Sequence, residues 1–196
     1  MNYEHWRHYA RGWVLHFLGR ENSAFEAYLT AFRVNPQDVQ AARHLAAIAA
    51  NRKDWAVAEK WFEAALALTP DDGANWFNLG YVREHAGKPA EAITAFSEAV
   101  RIVPQQDMAW YGMGMAYARL GRHDDAVTAL EKVVELQPMS GEGFYQLGMA
   151  YHHANRPDGV TDIVKRLVAF EPKRARKLVR DAQRPDLMKF IPELPF

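Results

Sequence analysis

The chain has 196 residues, with 49% hydrophobic and 12% aromatic content, a composition that folds and lies outside the disordered range. Its 24 Lys and Arg balance 24 Asp and Glu, so no global field draws it to nucleic acid or an anionic membrane. The complete lack of cysteine excludes disulfides, thiol catalysis and cysteine-ligated metals, and it suits a reducing compartment.

The amino-terminal stretch has Arg7 and Arg11 ahead of the apolar run WVLHFLG, which His16 interrupts. No small-residue cleavage site follows, so it does not read as a cleaved leader. No segment approaches the roughly 20 apolar residues that span a bilayer. The reading is a soluble, cytoplasmic protein.

From residue 5 the sequence repeats every 34 residues without insertion, giving units 5–38, 39–72, 73–106, 107–140 and 141–174. Position 8 of the units holds Gly12, Ala46, Gly80, Gly114 and Gly148. Position 20 holds Ala24, Ala58, Ala92, Ala126 and Val160, and position 32 holds Pro36, Pro70, Pro104, Pro138 and Pro172. Positions 4, 7, 8 and 11 form one stripe at helical spacing, and positions 20, 24 and 27 form a second. Gly19, Gly87 and Gly121 at position 15 suit the end of the first helix, and the position-32 proline stops the second. Each unit is therefore a helix hairpin that buries its apolar face only by stacking on neighbours. Small residues at positions 8 and 20 let the two backbones approach, with the ring at position 24, as in Phe96, filling the space beside them.

These residues resemble the tetratricopeptide repeat family. Trp76, Leu79, Gly80, Ala92, Phe96, Ala99 and Pro104 match its signature, as do Trp110, Gly114, Tyr117, Gly121, Ala126 and Pro138. The resemblance implies an all-α fold, a right-handed superhelical α-solenoid of antiparallel helix hairpins. It also implies a concave groove, lined by the first helices, that holds a peptide or a partner's helix. His8, Arg11, Ala42, Asn155 and Val160 depart from the signature.

Beyond the repeats, residues 175–184 place Ala175, Leu178, Val179 and Ala182 on one face among basic residues, the pattern of a capping helix. Residues 185–196 are apolar, broken by prolines, and read as an extended tail.

In the repeat frame the inner wall is written by positions 2, 5, 9, 12 and 13. Positions 2, 5 and 9 hold Trp6, Tyr9, Trp13, Arg43, Phe77, Tyr81, Met108, Tyr111, Met115, Tyr145 and Met149, a surplus of rings and thioethers, with Gln40, Ala47, Ala74 and Glu142 between them. Position 13 runs Phe17, Asn51, His85, Arg119 and His153, with His152 beside the last. The reading is a groove for a protein or peptide segment with bulky apolar side chains and a carboxylate near Arg119 and His153. The competing reading has the rings absorbed by packing between repeats. Another fills the groove with Phe190, Ile191 and Phe196 of the tail, or with a neighbouring protomer's Trp6 and Trp13, giving a homo-oligomer.

No cofactor or metal is expected, since His5, His8, His152 and His153 lack a third ligand at suitable spacing. Ser23, Ser97 and Ser140 lie in no nucleophile context, and no convergent acid–base pair is present. An interaction scaffold, adaptor or assembly factor is expected, and no enzyme activity.

Overall fold

The protein is described by a computed structural model covering residues 3–192. Among these residues are eleven α-helices and a closing 3-10 helix, without strands. Five hairpins come first: α1 (Tyr3–Phe17) with α2 (Glu21–Val34), α3 (Val39–Asn51) with α4 (Trp55–Leu68), and α5 (Gly73–His85) with α6 (Pro89–Ile102). They continue with α7 (Asp107–Arg119) and α8 (His123–Leu136), then α9 (Gly141–His153) and α10 (Pro157–Phe170). α11 (Pro172–Asp181) and the 3-10 helix (Pro185–Phe190) end the described chain. This is a helix-hairpin repeat of the α-solenoid class, and it divides into two compact units, Met1–Val103 and Pro104–Phe196.

The turn inside every hairpin uses one left-handed residue at position 15. Glycine takes it at Gly19, Gly87 and Gly121, with φ of 69°, 77° and 72°, but Lys53 (61°) and Asn155 (55°) adopt it as well. The other connections carry the prolines, and several end on a side-chain cap. Asp38 accepts from the backbone N–H of Gln40 and Ala41 at 2.9 and 3.1 Å, and Asp72 and Ser140 do the same work ahead of α5 and α9.

Within a hairpin the two helices meet where position 8 faces position 24. A Cβ on Gly80 would lie 2.6 Å from the Phe96 ring, and one on Gly114 would lie 2.8 Å from Leu130. Position 4 adds a hydrogen bond across the joint between successive repeats. The Trp76 indole donates to the Pro70 carbonyl at 2.7 Å, and that of Trp110 to Pro104 at 2.9 Å. Position 11, apolar in the matching units, is Arg83 in the third. It reaches Glu59 at 2.9 Å and Glu63 at 2.7 Å on α4, and Lys88 closes on Glu59 at 2.6 Å. Burial pushes the Glu59 carboxyl up, yet its bonds to Lys88 and Arg83 prevail and hold it below the usual range.

In the carboxyl-terminal unit one core runs from Ala126 on α8 to α11 and beyond. Position 24 of the fifth repeat is only Val164, and Leu178 of α11 comes over Gly148 instead, 2.5 Å from where its Cβ would be. Ala175, Leu178, Val179 and Ala182 are all buried there. α11 starts at Pro172, three residues earlier than the sequence pattern suggests, because proline is well suited to the first position of a helix. Residues 185–190 form a 3-10 helix and not the extended chain expected from their prolines. The 3-10 helix packs on α10 and α11, with Leu187 and Ile191 buried in the core they share, which fixes the local backbone. Phe196 lies outside the described residues.

The first hairpin has an aromatic core. Tyr28 is fully buried and stacks on His44 of α3, with ring centroids 4.5 Å apart and planes 9° from parallel. The Tyr9 hydroxyl lies 3.2 Å from His44 Nε2. Burial pushes the Tyr28 phenol up to about 12, with Tyr9 adding to it. Burial also holds His44 below its usual 6.5, helped by His16 and opposed by Asp38.

Two stability predictions result. Lys53→Gly should stabilise the protein by about 1 kcal/mol, because a left-handed conformation costs a side chain roughly that much, as a urea titration would show. His44 contributes no pH dependence well above pH 6.5, where it is neutral folded and unfolded. As pH falls below 6.5 the unfolded chain protonates first, so stability declines until the lower folded pKa is passed. His44→Phe keeps the stack and should give a flatter melting temperature between about pH 7 and 5.

Candidate partner-binding surfaces

Within the amino-terminal unit the expected wall residues have different fates. Tyr9 packs edge-on against Tyr28, centroids 5.5 Å apart, and Phe77 lies 6.0 Å from Phe96. Arg43 is paired with Asp72, the cap of α5. Trp6, Trp13 and Phe17 of α1 are exposed, the last two stacked with centroids 6.1 Å apart. Tyr81 is exposed and lies 4.1 Å from His85, whose Nδ1 is 2.9 Å from the Tyr81 carbonyl. Trp55, the first residue of α4, joins them at 5.2 Å from His85.

In the carboxyl-terminal unit, Met115, Tyr145, Met149 and His153 come together around one hollow of about 580 Å³. Ala118, Leu130 and Ala150 complete its apolar floor, while Glu142, Gln146, His123 and Lys177 supply the polar rim. Met108 and Tyr111 line a separate hollow of about 350 Å³ with Val133 and Gln137. Arg119 is exposed at the end of α7. The position-5 rings Tyr111 and Tyr145 are half-buried against the core, so they belong as much to packing as to a wall.

The rim has two electrostatic ends. At one, Lys177 Nζ sits 3.6 Å from the Tyr145 ring centre and 3.1 Å from Asp181, to which the Tyr145 hydroxyl donates at 2.8 Å. The Tyr145 bond, with Arg180 and Lys177, holds the Asp181 carboxyl down to about 2. Lys177 is thus a tied cation. At the other end the His123 and His153 rings stack with centroids 5.2 Å apart, and His152 is 5.1 Å from His153. Burial holds His153 below the usual imidazole value, and His152 and His123 add to it. His123 Nδ1 is buried without a hydrogen-bond partner among the described residues.

Trp55 and His123, at position 17, were not among the candidates that the sequence suggested. The signal was available: position 17 of one unit meets position 13 of the next, so Trp55 touches His85 and His123 touches His153 at the same 30-residue offset. Of the tail residues proposed to fill a groove, Ile191 is buried in the carboxyl-terminal core, and Phe190 lies under Lys165 at 5.4 Å.

Residues 9–73 and 71–139 match two family models described as tetratricopeptide repeat. No curated protein matches the chain. Among similar solved structures, the MamA protein superposes with a TM-score of 0.79 at 19% identity, covering 100% of both chains. YrrB, a TPR protein with an unusual peptide-binding site, gives 0.78 at 20% identity over 90% of each chain. MamA from Desulfovibrio magneticus RS-1, residue 41 to the end, gives 0.76 at 19% identity over 92% of this chain and 98% of that one. At these identities the likeness is one of fold.

The histidine pair gives a direct prediction. In an NMR titration His153 should protonate below the usual imidazole range, and His152→Gln should raise its midpoint by removing a like charge.

Proposed function

The chain belongs to the tetratricopeptide repeat family, and from that premise we propose that it is an adaptor or assembly scaffold that seats an apolar or amphipathic segment of a partner protein. The observation that carries this reading is the hollow of about 580 Å³ beside α7 and α9. Its thioethers, Met115 and Met149, give an adaptable lining for a bulky side chain. The His153 imidazole, held below its usual value by burial, offers a hydrogen bond or, once protonated, a charge to an acidic neighbour of that side chain. The peptide-binding site of YrrB, which shares this fold, supports a peptide as the kind of ligand. The cytoplasmic setting read from the sequence belongs to the proposal, as does the absence of enzyme activity.

The chemistry sets a sign for pH. A ligand carboxylate beside His153 favours the imidazolium, so binding takes up a proton and tightens as pH falls toward the imidazole range. Affinity is set near micromolar by the few groups the hollow offers.

The test is selection of random heptapeptides on the full chain, with the Met115→Ala/Met149→Ala variant as the counter-screen. Enriched peptides should pair an aromatic or long aliphatic residue with Asp or Glu and bind the variant at least about tenfold more weakly, a loss of roughly 1.4 kcal/mol. No enrichment, or equal binding by a folded variant, would sink the reading.

A further inference from the structure

α1 has two apolar faces, and only one is covered. At about 100° per residue, His5, Tyr9, Gly12 and His16 share the side that meets α2 and α3. Gly12 lies against Tyr28, and Tyr9 reaches His44. The other side carries Tyr3, Trp6, Ala10, Trp13, Val14 and Phe17 in an arc about 100° wide with no charged residue inside it. Tyr3, Trp6, Ala10, Trp13 and Phe17 step by three and four residues in turn, the spacing by which one helix lies along another.

This arc is bare. Tyr3 is 78% exposed, Trp6 50%, Trp13 57% and Phe17 80%. At roughly 200 Å² per ring the four expose about 500 Å². Val14 and Leu18, 47% and 60% exposed, bring the patch to roughly 700 Å². A standard interface takes about 800 Å² from each partner, and the largest patch on a typical monomer is about 300–600 Å².

The arc is also not the seam that a further hairpin would use. Internal first helices meet the hairpin before them through positions 3 and 7. Ala41 and Leu45 on α3, Asn75 and Leu79 on α5, and Gly143 and Leu147 on α9 are all buried. α1 has Arg7 and Arg11 there, both exposed. α11, the last α-helix of the described chain, exposes Lys173, Arg176 and Arg180, so a copy that stacked α1 on α11 would set like charges together. What fits is a single apolar helix laid along α1.

We propose that this helix is α1 of a second copy, running antiparallel about a twofold axis at Ala10. The row ring, ring, alanine, ring, ring reads alike in both directions. Tyr3 then meets the partner's Phe17, Trp6 meets the partner's Trp13, and Ala10 meets its own counterpart, small enough for axes to approach to about 8 Å. Such a contact is isologous and stops at two.

The test is the mass of the full chain in solution, with two variants at the axis. The intact chain should sediment as a dimer. Ala10→Arg, which changes an exposed helical residue, should halve the mass with an unchanged helical circular dichroism spectrum. Because the chain has no cysteine, Ala10→Cys gives one thiol next to its twin. Mild oxidation should link it into a reducible dimer far faster than Ala90→Cys, on α6. A monomer at roughly 100 μM, far above the micromolar range, would overturn the proposal. So would a dimer indifferent to Ala10→Arg, masses growing past two copies, or equal cross-linking of the two cysteine variants. If Ala10→Arg loses helix content, the Ala10→Cys comparison alone decides.

Discussion

The fold depends on one close approach repeated down the chain, in which a residue with little or no side chain lets a bulky neighbour rest on the helix backbone. Tyr28 lies against Gly12, Phe96 against Gly80 and Leu130 against Gly114. The contact is steric and tolerates no Cβ in its present geometry, which is why four of the five position-8 residues are glycine even though glycine weakens a helix interior by about 0.5–1 kcal/mol. Packing offsets that cost, since each ring or Leu so placed is almost fully buried. Where the partner shrinks to Val164, the space is taken by Leu178 from the helix that follows. The end of the repeat array thus obeys the same rule as its middle, with a residue from outside the period.

This approach also decides which side chains are left for other molecules. With position 8 turned toward its own hairpin, position 5 lies at the edge of the seam, and Tyr9, Phe77, Tyr111 and Tyr145 are half-buried there. Positions 2 and 9 are carried farther round. Trp6, Trp13, Tyr81 and Met108 accordingly stay exposed, while Met115 and Met149 border a hollow. The apolar surface available to partners is therefore smaller than the row of rings suggests, and it comes in separate patches.

Most of the fold was legible because a repeat multiplies weak signals. A single Gly or Pro is ambiguous, but Pro36, Pro70, Pro104, Pro138 and Pro172 at one spacing are not. Less legible were features that the period does not carry. Lys53 takes a left-handed turn that its residue type does not advertise, because the surrounding hairpin dictates the backbone. Residues 185–190 look extended from their prolines, yet Leu187 has a core to enter and the chain coils to reach it. Arg83 reads as a breach in the packing stripe until Glu59 and Glu63 are placed opposite it. The hollow was half legible: its thioethers and His153 follow from the inner positions, whereas His123 comes from a second helix that carries no inner wall in the repeat frame. Pairing between units, and not periodicity within one, is what brought it in.

The indole bonds that tie Trp76 to Pro70 and Trp110 to Pro104 have an optical consequence. Of the six tryptophans, Trp6, Trp13, Trp55, Trp61 and Trp76 fall in the first unit and Trp110 alone in the second. Five of the six indoles that can report on unfolding therefore lie before residue 104. A chain keeping only Trp110 would emit from a single anchored indole, giving the carboxyl-terminal half a private gauge whose colour shifts when its first joint opens to water.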